Sequence, residues 1–465
     1  MLNLKTGGTI MDASKLIHSL GEDNAVRDES LFTGHAFTIS SPRSIEEVCE
    51  IVRYCAAHKM SITPHGGLTG INGAGTASYN HRMDLRKLNN ITYCKEDHSL
   101  WAESGATFSE IESFLRKESN LSYEFPASPT EKSATIGGAL SFNAHGLRSY
   151  KYGGVSQFVT EIEYCDNLGT LHQCTPADPD FQELLGSEGM FAIITRIHLR
   201  TIESPAFLWG LMFFFPDNLD AAKFADAIPA GSSISVFEFC DHNSFELLQE
   251  FRSQISSLSR LPDLPAGNPA AIYLELECES EEDLELSAET LLLLSSEYGC
   301  DPDTVWSVEG EDVETFRLLR HTISECINLK IATYHAKDVR IKKLSCSCFF
   351  PDKTRHDLVQ DYQNCLAEHQ LSGILFGHIG SGNLYVNILA SSATEYFQGL
   401  RLIENWCQSA YKTGGYAFSE CGVGKLYRDI FYHAAPIDLL NKRIKLKQKW
   451  DPQYLFNPEN MLLQL

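Results

Sequence analysis

The stretch PHGGLTGINGAG, residues 64–75, decides the fold together with a second stretch, PASPTEKSATIGGALSFNAHG, residues 126–146. Glycine has no Cβ, so a glycine-rich main chain can approach a ligand closely. Successive backbone N–H groups of such a loop form a concave site for phosphate or pyrophosphate. Each stretch follows a strand-like apolar run and carries hydroxyl side chains, which are Thr69, Ser133, Thr135 and Ser141. The pair predicts a dinucleotide held between two loops.

Two familiar phosphate-binding patterns do not describe these loops. A Walker loop needs G-x-x-x-x-G-K-[ST], and neither loop is followed by Lys-Ser or Lys-Thr at that spacing. A Rossmann fingerprint needs G-x-G-x-x-G, whereas Gly66-Gly67 and Gly137-Gly138 are adjacent pairs. The remaining alternative to a dinucleotide site is a pair of tight turns in an ordinary α/β domain.

Length and charge restrict the domain count and the partners. The chain has 465 residues, 43% of them hydrophobic, so two or three domains with ordinary cores are expected. A formal net charge of −23 argues against a nucleic-acid partner and against docking on an anionic membrane. The N-terminus lacks an apolar signal-peptide core, and no run of about 18 apolar residues predicts a transmembrane segment. We therefore expect a cytoplasmic protein.

The 14 cysteines are expected to be reduced thiols that mostly fill cores. No C-x-x-C pattern occurs. Cys346 and Cys348 lie on one strand-like run and would point the same way. Neither a zinc finger nor a dithiol redox motif is expected.

Local patterns divide the chain at about residue 203. Before it, SPRSIEEVCEIVRYCAAHK (residues 41–59) predicts a helix that Ser44 caps, with Glu47 completing a capping box. VSQFVTEIEYCDNLGTLHQC (residues 155–174) predicts a hairpin around Asn167-Leu168-Gly169. After it, strand-like runs such as FLWGLMFFF and AIYLELEC alternate with helices. The predicted class is α+β, with an antiparallel sheet in the second domain and helices on one face of that sheet.

Seven motifs give the chain a resemblance to a known family from about residue 30 to its end. They are PHGGLTG, the loop of residues 126–146, RSYKYGGVSQFV, GSEGMFAIIT, FGHIGSGNLYVN, SECGVGK and FNPENML, all in family order. The chain resembles the FAD-linked oxidases of the vanillyl-alcohol oxidase (PCMH) type. Within them it is most similar to the branch of D-lactate (D-2-hydroxyacid) dehydrogenases and glycolate oxidase subunits.

The resemblance implies a domain layout and a non-covalent FAD. An N-terminal arm (1–32) would precede a two-lobed PCMH-type FAD-binding domain (33–203) and an antiparallel-sheet cap domain (204–415). A C-terminal segment (416–465) would return to the FAD domain. Neither His65 nor His145 has the family's context for covalent attachment of the flavin.

The resemblance also implies the cofactor contacts. The first loop would cradle the pyrophosphate, Gly153 would flank the flavin, and Asn457 would lie near the ring edge. Glu188, Gly189 and the backbone of Ile194 would hold the adenine side. The full set implied is His65, Gly66, Gly67, Leu68, Thr69, Gly70, Pro126, Ser133, Thr135, Ile136, Gly137, Gly138, Asn143, Gly146, Gly153, Glu188, Gly189, Ile194 and Asn457.

The resemblance places a catalytic set in the second half of the chain. Arg320 fits the substrate-carboxylate position, where a rigid bidentate fork is useful. Ser324 matches a hydroxyl position, and Lys337 lies near the family's substrate lysine. His378, Asn387 and Glu420 match family positions around a divalent metal and the substrate.

The chain departs from the family at three catalytic positions. Ser381 replaces an Asp, Tyr385 replaces the second metal-binding His, and Cys421 replaces the presumed base. His378 and Glu420 alone are a poor Zn²⁺ site because zinc usually takes at least three protein ligands, although Cys421 could complete one. Without a metal, His378 would be a hydrogen-bonded support. The rebuilt base would be Tyr385 or Cys421, with a pKa lowered by nearby positive charge.

The leading hypothesis is FAD-dependent oxidation of a D-lactate-like 2-hydroxyacid, with hydride transfer from Cα to flavin N5. One alternative is oxidation of an alcohol or sugar that lacks a carboxylate. Another is non-redox flavin chemistry, because SECGVGKLYR also resembles a turn of the alkyl-dihydroxyacetone-phosphate synthases. A third is a catalytically altered flavoprotein. The electron acceptor stays open, and a homodimer is the default expectation.

Overall fold

The computed structural model describes residues 13–21, 24–229, 233–255, 263, 265, 267 and 269–462. The expected N-terminal arm thus begins in residues 1–12, which lie outside the described residues. No helix in the described part of the chain is long and apolar enough to span a membrane.

The described part of the first half forms two five-stranded sheets and a small sheet of β8 and β12, with helices around them. Its strands and helices are β1 (His18–Ser19), β2 (Val26–Arg27), β3 (Thr33–Ser40), α1 (Ile45–Ala57), β4 (Ile62–His65), β5 (Ser78–Asp84), β6 (Ile91–Cys94), β7 (Ser99–Glu103), α2 (Phe108–Glu118), β8 (Tyr123–Glu124), α3 (Ile136–Phe142), α4 (Ser149–Tyr152), β9 (Val159–Cys165), β10 (Leu171–Cys174), α5 (Pro179–Leu184), β11 (Ile193–Leu199) and β12 (Ile202–Glu203).

The first lobe is a sheet in which β3, β5 and β4 run parallel. Helix α1 packs its apolar stripe against this sheet, and the Ser44 side chain accepts a hydrogen bond from the Glu47 N–H, as predicted. The expected capping box is wrong in one detail. The Glu47 carboxylate accepts from the N–H of Arg43 at 2.6 Å, because that donor comes within reach one residue before the cap.

The second lobe is an antiparallel sheet in the order β10-β9-β11-β7-β6. The predicted hairpin is present, with Leu171 opposite Cys165 across the β9–β10 turn. Helix α3 begins at the second glycine-rich stretch, where the Thr135 side chain accepts from the Gly138 N–H. Both glycine-rich stretches therefore follow strand or turn elements at the border of the two lobes.

The second half of the chain forms the cap and the C-terminal segment. Its elements are β13 (Phe207–Phe215), α6 (Asn218–Ala227), β14 (Ile234–Cys240), α7 (His242–Phe251), β15 (Ala270–Cys278), α8 (Glu281–Ser296), β16 (Trp306–Glu309), α9 (Glu314–His335), β17 (Leu344–Cys346), β18 (Cys348–Phe349), α10 (Arg355–Glu368), β19 (Gly373–His378), β20 (Asn383–Ile388), α11 (Ala393–Lys412), β21 (Tyr416–Ala417), α12 (Arg428–Ala434) and α13 (Ile437–Trp450).

Helices cover both faces of the cap sheet, so the expectation of helices on one face is wrong. Within the described residues the sheet has seven antiparallel strands in the order β16-β13-β15-β14-β19-β20-β17. Strands β14 and β15 are buried along their whole length. Their alternate side chains belong to two apolar clusters, one shared with α6, α8 and α10 and the other with α7 and α9. Continuous apolar runs, rather than alternating ones, are typical of strands buried on both faces.

The C-terminal segment packs against the first lobe. The Ile62 N–H donates to the Leu455 carbonyl at 2.6 Å, and Phe456 forms a bridge with the same strand. The buried ammonium of Lys447 donates to the carbonyls of Met190 and Phe456. The end of the chain is thereby part of the wall around the glycine-rich loops.

We expect Gly137→Ala to lower the free energy of unfolding by about 1–3 kcal/mol, because overpacked sites cost that much. A Cβ on Gly137 would lie 2.5 Å from the Ser104 Cβ. Gly138→Ala is the matched control, since its nearest neighbour would be the Thr135 hydroxyl at 3.1 Å. Urea unfolding of the two variants checks this difference, and equal losses in both would contradict it.

Candidate active site

A cavity of about 810 Å³ lies between the two glycine-rich loops and the cap. All six predicted catalytic residues line it, namely Arg320, His378, Tyr385, Asn387, Glu420 and Cys421. Twelve of the predicted cofactor residues also line it, namely His65, Gly66, Gly67, Leu68, Thr69, Gly70, Thr135, Gly137, Gly138, Glu188, Gly189 and Ile194. One continuous space therefore joins the predicted cofactor site to the predicted chemistry.

The two loops pack directly on each other at the floor of this cavity. A Cβ on Gly66 would collide with the Thr135 hydroxyl, and one on Gly67 would lie 2.6 Å from the Ser133 carbonyl oxygen. The next residue, Leu68, has a φ of 58° in the left-handed region. Glycine is needed at both positions because the Thr135 side chain and the Ser133 main chain leave no room for a Cβ.

Seven of the predicted cofactor residues lie outside the cavity wall; they are Pro126, Ser133, Ile136, Asn143, Gly146, Gly153 and Asn457. The Ser133 hydroxyl donates to Glu131 at 2.5 Å. Ile136 is buried in the core, and Asn143 ends α3 in the left-handed conformation with a φ of 51°. These positions shape the second loop from behind.

The other four outlying residues also have structural contacts. Gly146 packs against the Ser128 carbonyl, and Gly153 ends α4 with a φ of 73°. Pro126 is buried. The Asn457 amide donates to the carbonyls of Ala74 at 3.1 Å and Glu188 at 2.8 Å, so it supports the cavity wall rather than facing the cavity.

Several buried polar atoms of the cavity wall have no hydrogen-bond partner among the described residues. They belong to His65, Ser104, His145, Ser345, Asn387 and Glu420. Burial lowers the pKa of His65 to about 4, so its ring is neutral and can donate or accept a hydrogen bond. Buried polar groups are normally satisfied, so these atoms indicate a polar ligand in the cavity. Their distribution fits FAD along the loops and a small substrate beside it.

Four charged groups form a chain at the cap end of the cavity. Glu238 of β14 accepts from the Arg320 Nε of α9 at 2.6 Å and from the His378 Nδ1 at the end of β19. The other ring nitrogen of His378 lies 3.3 Å from Glu420 Oε2, which also accepts the Tyr385 hydroxyl at 2.6 Å. Two carboxylates thus alternate with two cations, and the charges balance.

This alternation fixes the charge states. Burial opposes the charge of His378, but Glu238 and Glu420 outweigh it and hold the His378 pKa above its usual range. Burial likewise opposes ionisation of Glu238, yet His378 and Arg320 keep the pKa of Glu238 below its usual range. We therefore describe His378 as an imidazolium held between two carboxylates.

Glu238 is a site residue that the sequence did not reveal. It lies within the strand ISVFEFC, whose residues are all buried, and only its charge distinguishes it from its apolar neighbours. A buried carboxylate needs a partner of opposite charge. A lone Glu in a continuous apolar strand was therefore a usable signal, although nothing in the sequence identified Arg320 and His378 as the partners.

The structure argues against Tyr385 and Cys421 as the base. Burial and the charge of Glu420 raise the pKa of Tyr385 well above its usual range. Burial raises the pKa of the Cys421 thiol to about 12. The expected lowering fails because burial outweighs the nearby positive charge at both groups. Glu420 Oε1 has no partner among the described residues and lines the cavity, so it is the better acceptor of a proton.

Lys343, rather than Lys337, is the lysine of the cavity wall. Lys337 is exposed near the end of α9, beside the ring of Tyr334. Lys343 is buried, lines the cavity and donates to Asn328 Oδ1 at 2.7 Å. The sequence put Lys337 near, though not clearly on, the family's substrate lysine, and Lys343, six residues further on, is the one that lines the cavity.

The residues around His378 do not fit a zinc site. Both ring nitrogens of His378 already face carboxylates, and Tyr385 occupies one oxygen of Glu420. Within the described residues, the only group of three possible ligands lies elsewhere, at Cys346, Cys348 and Cys407. Zinc sites usually need three protein ligands. We derive no catalytic step through a metal.

The turn SECGVGK is fixed to the first half of the chain by Glu188 and Asn72. The Glu188 carboxylate accepts from the N–H groups of Val423 at 2.7 Å and Gly424 at 2.8 Å. The Asn72 amide donates to the Cys421 carbonyl at 2.9 Å. The Glu188 carboxylate thus binds the main chain of this turn, and the turn places Glu420 in the cavity wall.

Comparison with known proteins identifies the fold. A sequence model of FAD binding domains matches residues 38–175, and a model of FAD linked oxidases, C-terminal domain, matches residues 210–461. The mitochondrial D-2-hydroxyglutarate dehydrogenase of Arabidopsis thaliana is 26% identical, over 97% of this chain and 81% of its own. The D-2-hydroxyglutarate dehydrogenase of Stutzerimonas stutzeri is 25% identical, over 90% of this chain and 89% of its own.

A solved structure shares the architecture. An alkyldihydroxyacetonephosphate synthase superposes with a TM-score of 0.66 at 16% identity, over 91% of this chain and 77% of its own. This likeness concerns the fold. The predicted two-lobed FAD-binding fold with its cap, and FAD as the cofactor, are confirmed by these matches.

We expect Glu238→Gln to lower the pKa of His378, because it removes one of the two carboxylates that raise it. Because folding raises the His378 pKa, protonated His378 stabilises the folded state. This contribution to the free energy of unfolding is complete below about pH 6.5, the histidine pKa in the unfolded chain, and is lost as the pH rises through the folded-state pKa. In the variant this loss should occur at lower pH. Ring NMR signals of His378 against pH measure the midpoint.

The matched control is Glu275→Gln. Glu275 is a buried carboxylate of the neighbouring strand, paired with Arg317 at 2.6 Å. Both variants remove a buried carboxylate charge from an arginine, so their stability costs should be comparable. A His378 midpoint that shifts equally in both variants, or in neither, would contradict the assignment.

Proposed function

This chain belongs to the FAD linked oxidases, and we propose that it oxidises the hydroxyl-bearing carbon of a small D-2-hydroxyacid. FAD, when bound along the glycine-rich loops, supplies the hydride acceptor and carries the electrons onward. Two relatives named as D-2-hydroxyglutarate dehydrogenases match at least 90% of the chain, which supports this substrate class. The observation that carries the proposal is a fixed arginine and an unpartnered carboxylate oxygen in the wall of one cavity.

Arg320 is prepared to bind the substrate carboxylate. Only its Nε has an acceptor among the described residues, Glu238, and its guanidinium stacks over the ring of Phe376 at 4.4 Å. Its terminal nitrogens are then left for a second carboxylate in the cavity. Charge-assisted, bidentate hydrogen bonds of this kind are strong and directional. Ser324, one helical turn further along α9, lines the same region and adds a hydroxyl.

Glu420 takes the hydroxyl proton in this proposal. Tyr385 holds its Oε2 at 2.6 Å, which orients the carboxylate and leaves Oε1 without a partner among the described residues. A general base needs to lie within hydrogen-bond reach of the proton that it removes. Asn387 lies on β20, the strand that also carries Tyr385. Its amide nitrogen has no partner among the described residues and can donate a hydrogen bond to the substrate oxygen.

His378 supplies positive charge where the resembling enzymes use a metal ion. Its ring lies between Glu238 and Glu420, which hold the His378 pKa above the usual histidine range. A fixed cation in a buried site stabilises negative charge that develops on the substrate oxygen. The reaction proposed here therefore does not depend on an added divalent metal.

Three expectations from the sequence stay proposals. These are the cytoplasmic location, a homodimeric assembly, and transfer of the electrons to an acceptor that is still to be identified. The name of the Arabidopsis relative places that protein in mitochondria. The net charge of −23 supports a small-molecule partner over a nucleic acid.

Anaerobic mixing with D-2-hydroxyacids should bleach the flavin absorbance. Arg320→Lys should raise the KM for these acids about tenfold to a hundredfold, since a hydrogen bond to a charged group contributes about 1.5–3 kcal/mol. Lysine keeps the positive charge beside Glu238 but lacks the two parallel N–H donors of the guanidinium. The methyl ester of the same acid is the control, because it lacks the charge that Arg320 binds. No bleaching with any 2-hydroxyacid would reject the reaction, and an equal effect on acid and ester would favour a non-carboxylate alcohol or sugar.

Glu420→Gln should slow flavin reduction by about 100-fold to 10,000-fold, which is the usual contribution of general base catalysis. Cys421→Ala, one residue along, should slow it much less, because the thiol keeps its proton at neutral pH. Stopped-flow traces at saturating substrate measure both rates. If Cys421→Ala shows the larger loss, Glu420 is not the base.

A further inference from the structure

Three buried cysteines that the proposed chemistry does not use lie close together in the cap. Cys346 ends β17, Cys348 begins β18, and Cys407 lies in α11. Their sulfur atoms all lie within 4.8 Å of one another, and those of Cys346 and Cys348 are 3.5 Å apart. We propose that these three residues, called here the thiol cluster, bind one thiophilic metal ion, Zn²⁺ or Cu⁺.

The spacing of the sulfurs suits such an ion. A Zn–S bond measures about 2.3 Å, so two thiolates on one ion lie about 3.8–4.0 Å apart in tetrahedral or trigonal geometry. The observed separation of 3.5 Å and the upper limit of 4.8 Å enclose that range. Thiolates are soft ligands that favour Zn²⁺ and Cu⁺ over Mg²⁺ or Ca²⁺. Binding releases up to three thiol protons and involves no oxidation.

A change of sheet at Ser347 brings the first two sulfurs together. Cys346 pairs with Val386 in the large cap sheet, whereas Cys348 pairs with Ala417 in a separate two-stranded sheet. In a regular strand, residues two apart are separated by about 6.6 Å along one face. The bend between the sheets shortens this separation, and α11 delivers Cys407 from a third direction.

An unpartnered hydroxyl beside the thiol cluster points to a ligand. Tyr362 of α10 is buried, and its Oη has no hydrogen-bond partner among the described residues. Its ring packs edge-on against Trp406, the residue before Cys407, with ring centres 5.0 Å apart. Zn²⁺ usually takes four ligands, so an oxygen donor would join the three sulfurs as the fourth. Cu⁺ is satisfied by the three sulfurs alone.

The site is structural rather than catalytic, since none of the three cysteines lines the substrate cavity. It does support the catalytic segment. The Ser347 hydroxyl shares a 2.9 Å hydrogen bond with the Ser419 hydroxyl, and Ser419 immediately precedes Glu420. A metal ion that fixes Cys346 and Cys348 also fixes the residue between them.

The test loads the full-length flavoprotein with Zn²⁺ or Cu⁺ under anaerobic, reducing conditions, then desalts it and measures metal by mass spectrometry. We expect about one retained ion per chain for at least one of the two metals. Cys407→Ala should retain at least about tenfold less. Cys326→Ala, which removes an equally buried cap thiol outside the cluster, should retain the parental amount.

Two further results would overturn the proposal. Equal metal content in Cys407→Ala and the parent would place the ion elsewhere, and a loss caused only by Glu420→Gln would place it in the substrate cavity. If Cys407→Ala does not fold, thiol alkylation of the parent decides instead. Bound metal should slow alkylation of the three cluster cysteines at least about tenfold relative to Cys326. Equal rates with and without metal, or a disulfide between Cys346 and Cys348, would refute the site.

Discussion

The buried carboxylate of Glu188 is the interaction on which the rest of the site depends. It accepts hydrogen bonds from two successive N–H groups of the turn that follows Glu420. Asn72, within the first glycine-rich loop, holds the same turn through the Cys421 carbonyl. Such bonds to a buried ionisable group are strong, and an unpaired carboxylate there would be costly. One local network therefore sets the positions of Glu420, the proposed base, and of the first glycine-rich loop.

A second constraint is the balance of charge at the cap end. Arg320, Glu238, His378 and Glu420 form a chain whose formal charges cancel. The charged side chain of each member is buried, so each requires its neighbours. This accounts for the loss of metal ligands relative to the resembling enzymes: a protonated histidine between two carboxylates places positive charge at that point without an ion. It also accounts for Tyr385, whose hydroxyl donates a hydrogen bond to Glu420. A second histidine at this position would instead offer a lone pair to a metal ion.

The sequence predicted the fold well because its loops are constrained residue by residue. Gly66 meets the Thr135 side chain and Gly67 meets the Ser133 main chain of the other loop, so sterics require glycine at both positions and the sequence shows it. The residues of the charged chain and the proton acceptor were harder to predict from the sequence. Glu238 lies in an apolar strand far along the chain from its partners, and its role follows from tertiary packing alone. The proton acceptor was also misjudged. Burial decides the pKa of Tyr385 and Cys421, and burial is not visible in a motif.

The return of the C-terminal segment to the first lobe has a consequence for how the protein is made. Leu455 and Phe456 complete the wall beside β4, and Asn457 braces Ala74 and Glu188 from behind. In the sequence these residues come long after the loops that they support, so they leave the ribosome later. Domains tend to form in the order of synthesis. The site thus stays incomplete until residues 455–457 have been made, and a chain cut before residue 455 would leave the first glycine-rich loop without this support.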